Sequence, residues 1–156
     1  MSTIRFDEDL VVLDQPFSTK EEVVSALAER LFQKGYVYPT YRDAVLTREQ
    51  SFPTGLPTQP VGVAIPHADP EHCRTPALAV ARLPEPVTWG LMGDESETVQ
   101  ISIVFLLALT ADKQVEFLSQ LAELFQTPET LAQMLKFTTA EEVVEFVQAK
   151  VNLHLV

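Results

Sequence analysis

The sequence predicts an α/β fold: a single layered domain in which a mixed, mostly buried β-sheet carries helices on both faces. Three observations point there. An amphipathic helix precedes a run of short strand-like segments and further amphipathic helices follow, an order that stacks helices on a sheet. From Val99 the chain alternates through Ile101 and Ile103 and then turns continuously apolar from Val104 to Leu109, the pattern of a strand covered on both sides. The 156 residues are 46% hydrophobic and 21% charged, enough for one full core and too few for two ordinary domains, so residues 1–156 are read as one domain.

Taken in order, Leu10-Val11-Val12-Leu13 reads as a short strand closed by Asp14-Gln15-Pro16. Ser18 with Glu21, or Thr19 with Glu22, offers a capping box, and Val23, Val24, Leu27, Leu31 and Phe32 recur at helical spacing until Gly35 can cap the end. Tyr41 to Gln50 is predicted as a second, shorter helix, and Phe52-Pro53-Thr54-Gly55-Leu56-Pro57 then forces a loop. The apolar run Gly62 to Ile65 is a strand ending at Pro66-His67. Pro76 to Leu83 is another, continued by Val87-Thr88-Trp89, and the intervening Pro84 and Pro86 place it at an edge or an irregular connection. Beyond the central strand, Asp112 to Phe125 is predicted helical with Val115, Leu118, Leu121, Ala122 and Phe125 on the buried face. Thr127-Pro128 starts a helix ending near Lys136, and Thr139 with Glu142 caps a last one that buries Val143, Val144, Phe146 and Val147.

Eleven basic against 22 acidic side chains leave a net charge of −11, which repels nucleic-acid phosphates and anionic membrane surfaces. A protein partner with a basic face is favoured instead, drawn in by that field. The single cysteine, Cys73, excludes an internal disulfide, and the amino terminus lacks an apolar signal core. The longest apolar run, Ile103 to Leu109, is far shorter than a membrane span. Together these predict a cytoplasmic protein without membrane insertion.

His67 is the first candidate for chemistry. Imidazole is the one ordinary side chain that is partly neutral and nucleophilic near pH 7. Pro66 fixes its own torsion and removes an amide donor, so the strand cannot run on through His67. An isolated histidine more often just fills a turn, and the neighbours must decide. His154 falls in the last residues, where mobile chain is usual, and receives no role. His67, Asp69, His72 and Cys73 match no strong zinc spacing, so no metal site is assigned, and nothing near Cys73 suggests an oxyanion hole for a thiol nucleophile. Upstream, Arg48-Glu49 and the Pro53-Thr54-Gly55 turn add a guanidinium suited to bidentate phosphate, a carboxylate and loop amides. Taken singly each is ordinary; with His67 they describe a nucleophile and a cradle for a transferred phosphoryl group.

Arg48-Glu49, Pro53-Thr54-Gly55, then Gly62-Val63-Ala64-Ile65-Pro66-His67, Val104 to Ala108, and Leu118-Ser119-Gln120-Leu121-Ala122 resemble the EIIA proteins of the bacterial sugar phosphotransferase system, in the fructose, mannitol and nitrogen-regulatory superfamily. Within it the chain is most similar to the galactitol-specific component. The resemblance implies the mannitol/fructose-type EIIA fold and a phosphoryl relay. In that relay His67 takes a phosphoryl group from phospho-HPr on Nε2 (tele-phosphohistidine) and passes it to a cysteine of EIIB, which acts with membrane-bound EIIC on the sugar. No cofactor, metal or nucleotide is implied. Arg48 corresponds to the phosphate-site arginine, Glu49 orients neighbouring groups, and Thr54 is expected to donate to a phosphoryl oxygen. Where many relatives carry a second histidine before the Leu-Ser-x-Leu-Ala stretch, this chain has Gln114, an amide that can still donate to the phosphoryl group. Both partners must use one face in turn, which implies a small docking surface with an apolar centre and an acidic rim. A regulatory EIIA of the nitrogen-related branch, acting by protein binding, is the alternative, and a plain binding domain in which His67 caps a turn is the blandest reading.

Overall fold

Strands β5 (Ala77–Leu91) and β6 (Asp94–Ala108) make the longest pairing in the computed structural model, which describes residues 2–111 and 114–155. They run antiparallel across a tight turn at Met92-Gly93, where Gly93 has φ +87°, a conformation that strains any residue with a Cβ. Sequence pattern had started β6 at Val99. Asp94 to Thr98 are exposed and polar, so this half of the hairpin carries no hydrophobic alternation to read.

Five strands form the main mixed sheet: β2 (Val11–Leu13), β5, β3 (Gly55–Leu56), β4 (Gly62–Ala64) and β6, in that order. Because β5 and β6 also pair with each other, the pairings β5–β3, β3–β4, β4–β6 and β6–β5 close into a ring. Pro84 and Pro86 do not mark an edge. They sit inside β5, a strand with partners on both sides, where the register to β6 shifts between Arg82 and Val87. A proline has no ladder donor to offer, and the irregular stretch is where none is needed.

Every residue from Ile103 to Ala108 is buried although successive side chains point to opposite faces, so β6 is covered on both sides as expected. Helix α1 (Lys20–Gln33) packs on β5 and β6, and α5 (Ala140–Lys150) on β2. Both begin with a full capping box: Thr19 with Glu22, the second of the two pairings the sequence offered, and Thr139 with Glu142. Helix α2 (Tyr41–Ser51) follows α1, and α4 (Pro128–Met134) packs on α3 (Gln114–Phe125). The predicted start of α3 at Asp112 lies outside the described residues.

The buried face of α3 is rotated from the expected one. It consists of Phe117, Leu121 and Phe125, whereas Val115 is 79% exposed and Ala122 also faces outward. Two apolar stripes compete on this helix, and the one with two phenylalanines wins because it buries more area; Phe125 packs edge-on against Phe105 at 5.0 Å between centroids. The carboxyl-terminal segment also departs from expectation. β7 (His154–Leu155) pairs antiparallel with β1 (Ser2–Thr3), Thr3 Oγ1 lies 3.2 Å from His154 Nδ1, and Val151 and Leu153 are buried. The alternation of Val151 and Leu153 is too short to register as a strand from sequence. Among the described residues no helix is long and apolar enough to cross a membrane.

Candidate active site

Three segments converge on His67, and hydrogen bonds fix each to the next. The Tyr41 hydroxyl, buried at the start of α2, donates to the Leu107 carbonyl at 2.5 Å, tying that helix to the end of β6. Leu107 N–H in turn donates to the Pro66 carbonyl at 3.0 Å, and His67 forms an isolated parallel bridge with Leu107. On the other side Ile65 N–H reaches the Thr54 carbonyl at 3.4 Å. The helix end that carries Arg48 and Glu49, the Pro53-Thr54 loop and the Pro66-His67 turn are therefore one assembly.

The ring of His67 is oriented by its own chain. Nδ1 lies 2.9 Å from the Ile65 carbonyl, which can only accept, so Nδ1 carries the hydrogen and Nε2 keeps its lone pair. Burial pushes the imidazole below the usual histidine range; the Arg48 cation adds to this, while the Ile65 bond and Asp69 oppose it. The result is a neutral ring at pH 7 with a nucleophilic Nε2. His67 lines a depression shared with Arg48, Phe52, Thr54 and the β5–β6 hairpin tip, Met92 to Glu95. Phe52 is 65% and Met92 42% exposed, which gives the depression an apolar rim beside the carboxylates of Asp94 and Glu95.

Glu49 does not face that depression. It is 2% exposed and accepts from Thr54 N–H at 3.1 Å, from the Thr54 hydroxyl at 2.5 Å and from Trp89 Nε1 at 2.8 Å. Burial raises its carboxyl above the ordinary glutamate range, and the Thr54 and Trp89 donors pull the other way. This arrangement corrects the expected part of Thr54. Its one hydroxyl hydrogen is spent on Glu49, so it is not available to a phosphoryl oxygen; Thr54 instead fastens the loop. Glu49 likewise holds the loop and β5 together, and it does not line the depression. Gly55 completes the fastening. A Cβ there would sit 2.5 Å from the Gly90 carbonyl oxygen and 2.6 Å from Val99 Cγ1, so Gly55→Ala must push the loop off β5. We expect Gly55→Ala to cost about 1–3 kcal/mol, as overpacking does; denaturant unfolding measures it.

Arg48 faces the depression from the last turn of α2, with Nη1 3.4 Å from Asp69 Oδ1 and the guanidinium over the Phe52 ring at 5.5 Å. Its Nε is buried without an acceptor. Gln114 is the first residue of α3, partly buried, on the helix that follows the strand end paired with His67. His72 and Cys73 belong elsewhere: His72 Nδ1 bonds Thr40 Oγ1 at 2.8 Å, and burial pushes the Cys73 thiol up to about 11. Among the described residues no three His, Cys, Asp or Glu side chains converge. Sequence reasoning missed the Ile65 carbonyl, Trp89 and the hairpin tip. Only Trp89, the single tryptophan beside a glycine in a broken strand, left any signal.

Comparison with known proteins bears on the family and the fold. The family model described as "Phosphoenolpyruvate-dependent sugar phosphotransferase system, EIIA 2" matches residues 5–150. The chain is 32% identical to the transcriptional regulator ManR of Bacillus subtilis over 137 residues, 88% of this chain but only 20% of the regulator. It is 26% identical to the galactitol-specific EIIA component of Escherichia coli K12 over 113 residues, covering 72% of this chain and 75% of that protein. In fold it resembles the mannitol enzyme IIA of Escherichia coli, solved in complex with phosphorylated enzyme IIB, with a TM-score of 0.78 at 22% identity, over 94% of this chain and 99% of the other.

Proposed function

The chain belongs to the EIIA type 2 family of the sugar phosphotransferase system, whose components are phosphotransferases with a phosphohistidine intermediate, and on that premise we propose that His67 is the phosphoryl carrier, loaded on Nε2 by phospho-HPr and discharged to a cysteine of an EIIB partner. The observation that carries the reading is the Nδ1 bond to the Ile65 carbonyl, which leaves Nε2 as the free nucleophile in a depression with Arg48. The Nε2 lone pair forms the new N–P bond while the bond to the HPr histidine breaks and its electron pair returns to that ring. His67 then becomes an imidazolium, its Nδ1–H still donating to the Ile65 carbonyl. A thiolate attacking phosphorus sends the P–N pair back to Nε2 and restores the neutral ring. No proton leaves His67 at either step, so no separate base is required.

Arg48 supplies positive charge to the phosphoryl oxygens. Gln114 supplies a neutral donor from the start of α3, worth roughly 0.5–1.5 kcal/mol where a charge-assisted one gives about 1.5–3. We expect Gln114→Ala to slow transfer by about two- to tenfold; unchanged rates in a rapid-quench assay with phospho-HPr would remove Gln114 from the site. Phe52 and Met92 form the apolar centre of the docking surface, with Asp69, Asp94 and Glu95 as acidic rim.

We read residues 1–156 as one EIIA domain acting in the cytoplasm with a membrane-bound EIIC, and galactitol or a related sugar alcohol as the transported sugar, supported by likeness to the galactitol component. A regulatory role through protein binding is the second reading, favoured by the likeness to ManR. Incubation with phospho-HPr tests the carrier reading by asking for an acid-labile, base-stable phosphate on His67. Adding EIIB partners and a panel of polyols then separates transport, which discharges the label to sugar, from regulation, which does not.

A further inference from the structure

Asp69 stands two residues beyond His67 with its side chain 66% exposed, and its Oδ1 lies 3.4 Å from Arg48 Nη1. That contact is single-pointed and long beside the roughly 2.7–2.9 Å of a tight charge-assisted bond. The buried Arg48 Nε has no acceptor, and the guanidinium otherwise rests on the Phe52 ring. Arg48 lines two adjoining depressions, one holding His67 and the other holding Asp69 and His72. A phosphoryl group on Nε2 would therefore place the guanidinium between two anions, each able to draw it to its own side.

We propose that Asp69 is a positioning residue for the phosphoryl relay: it competes for Arg48, so the phosphoryl group on His67 is gripped loosely enough to leave. The proposal rests on His67 being the carrier, as argued above. A carrier whose cation clamped the bound phosphoryl group at full strength would stabilise the loaded state and penalise the onward step by the same factor. Asp69 removes part of that grip while the group is on Nε2. When the P–N bond breaks and its electron pair returns to Nε2, Arg48 goes back to Asp69. Because the pair is exposed, the competition is modest.

The test uses HPr as both donor and acceptor, so no EIIB need be identified. Wild type, Asp69→Asn and Asp69→Glu are equilibrated with phospho-HPr, and label on His67 is quantified by mass spectrometry under non-acidic handling. Asp69→Asn should raise the loading constant by about two- to fivefold, the range of an exposed ion pair, and slow return to HPr correspondingly. Asp69→Glu should restore the wild-type constant. In an Arg48→Gln background Asp69→Asn should shift nothing, because the cation being contested is gone. An unchanged constant in Asp69→Asn, a Glu variant that behaves like the Asn one, or the same shift without Arg48 each overturns the proposal, the last by pointing to direct repulsion. Failure of wild-type His67 to take any label overturns the carrier reading and this inference with it, whereas normal wild-type loading with an Asn variant unmoved overturns this inference alone. Thermal melts of each variant confirm that loading is compared between folded proteins.

Discussion

His67→Ala should abolish phosphoryl acceptance from phospho-HPr while leaving the fold in place. The loss is expected to be complete, since the ring forms and breaks the only covalent bond in the relay and His67 is the one imidazole lining the depression. The remaining side chains are a guanidinium, exposed carboxylates, a thioether, a phenyl ring, a proline ring, a threonine hydroxyl bonded to Glu49, and the Ser51 hydroxyl, a weak nucleophile unless a base activates it. Stability should change little, because the ring is only partly buried and its one hydrogen bond goes to a carbonyl two residues away. His67→Gln separates shape from chemistry: it too should carry no label. NMR of the ring nitrogens supplies the finer test. Before loading, Nδ1 should be protonated and Nε2 bare at pH 7, with the titration midpoint below the ordinary histidine value of about 6.5. Phosphate on another residue, or on Nδ1, would break the account of how Ile65 selects the reacting nitrogen.

How far the sequence could be read depended on whether a contact is local. The helix capping boxes, the proline that stops the strand before His67 and the doubly buried run in β6 are all encoded within a few neighbours, and all were legible. The α3 face was misread because two apolar stripes overlap there, and only the Phe105–Phe125 contact across the core chooses between them. The hairpin tip is missed because Asp94 to Thr98, which follow Gly93, are polar and exposed and carry no alternation to read. For the site, residue types single out His67, Arg48 and Glu49 as candidates, but not what each one touches. The bond between Glu49 and Trp89 spans 40 residues of chain, and the carbonyl that orients His67 comes from backbone, which has no sequence identity. Thr54 shows a related limit: a hydroxyl has one hydrogen, and only the structure says that Glu49 receives it.

The largest stability effect is expected at Glu49. Glu49→Ala strands the amide of Thr54 and the indole N–H of Trp89, both in residues no more than 3% exposed. At roughly 1–3 kcal/mol for each of the two stranded donors the loss should be about 2–6 kcal/mol, or about 4–24 °C in Tm for a domain of this size. Glu49→Gln should be far milder, because its amide oxygen can still accept from both donors while its NH2 group donates to Thr54 Oγ1. The pair of variants also exposes the titration of the carboxyl. Burial lifts its pKa in the folded state against the pull of three hydrogen bonds, so over an interval above the ordinary glutamate value of about 4.3 the folded protein binds the extra proton and the unfolded one does not. Stability contributed this way is fully present below the unfolded pKa and drains away as pH rises through the folded one. Wild type should therefore lose ground to Glu49→Gln as pH climbs from about 4 toward neutrality. Denaturant unfolding of both proteins across that range measures the difference; a flat line would mean that the three donors cancel the burial and that Glu49 is held as a carboxylate throughout.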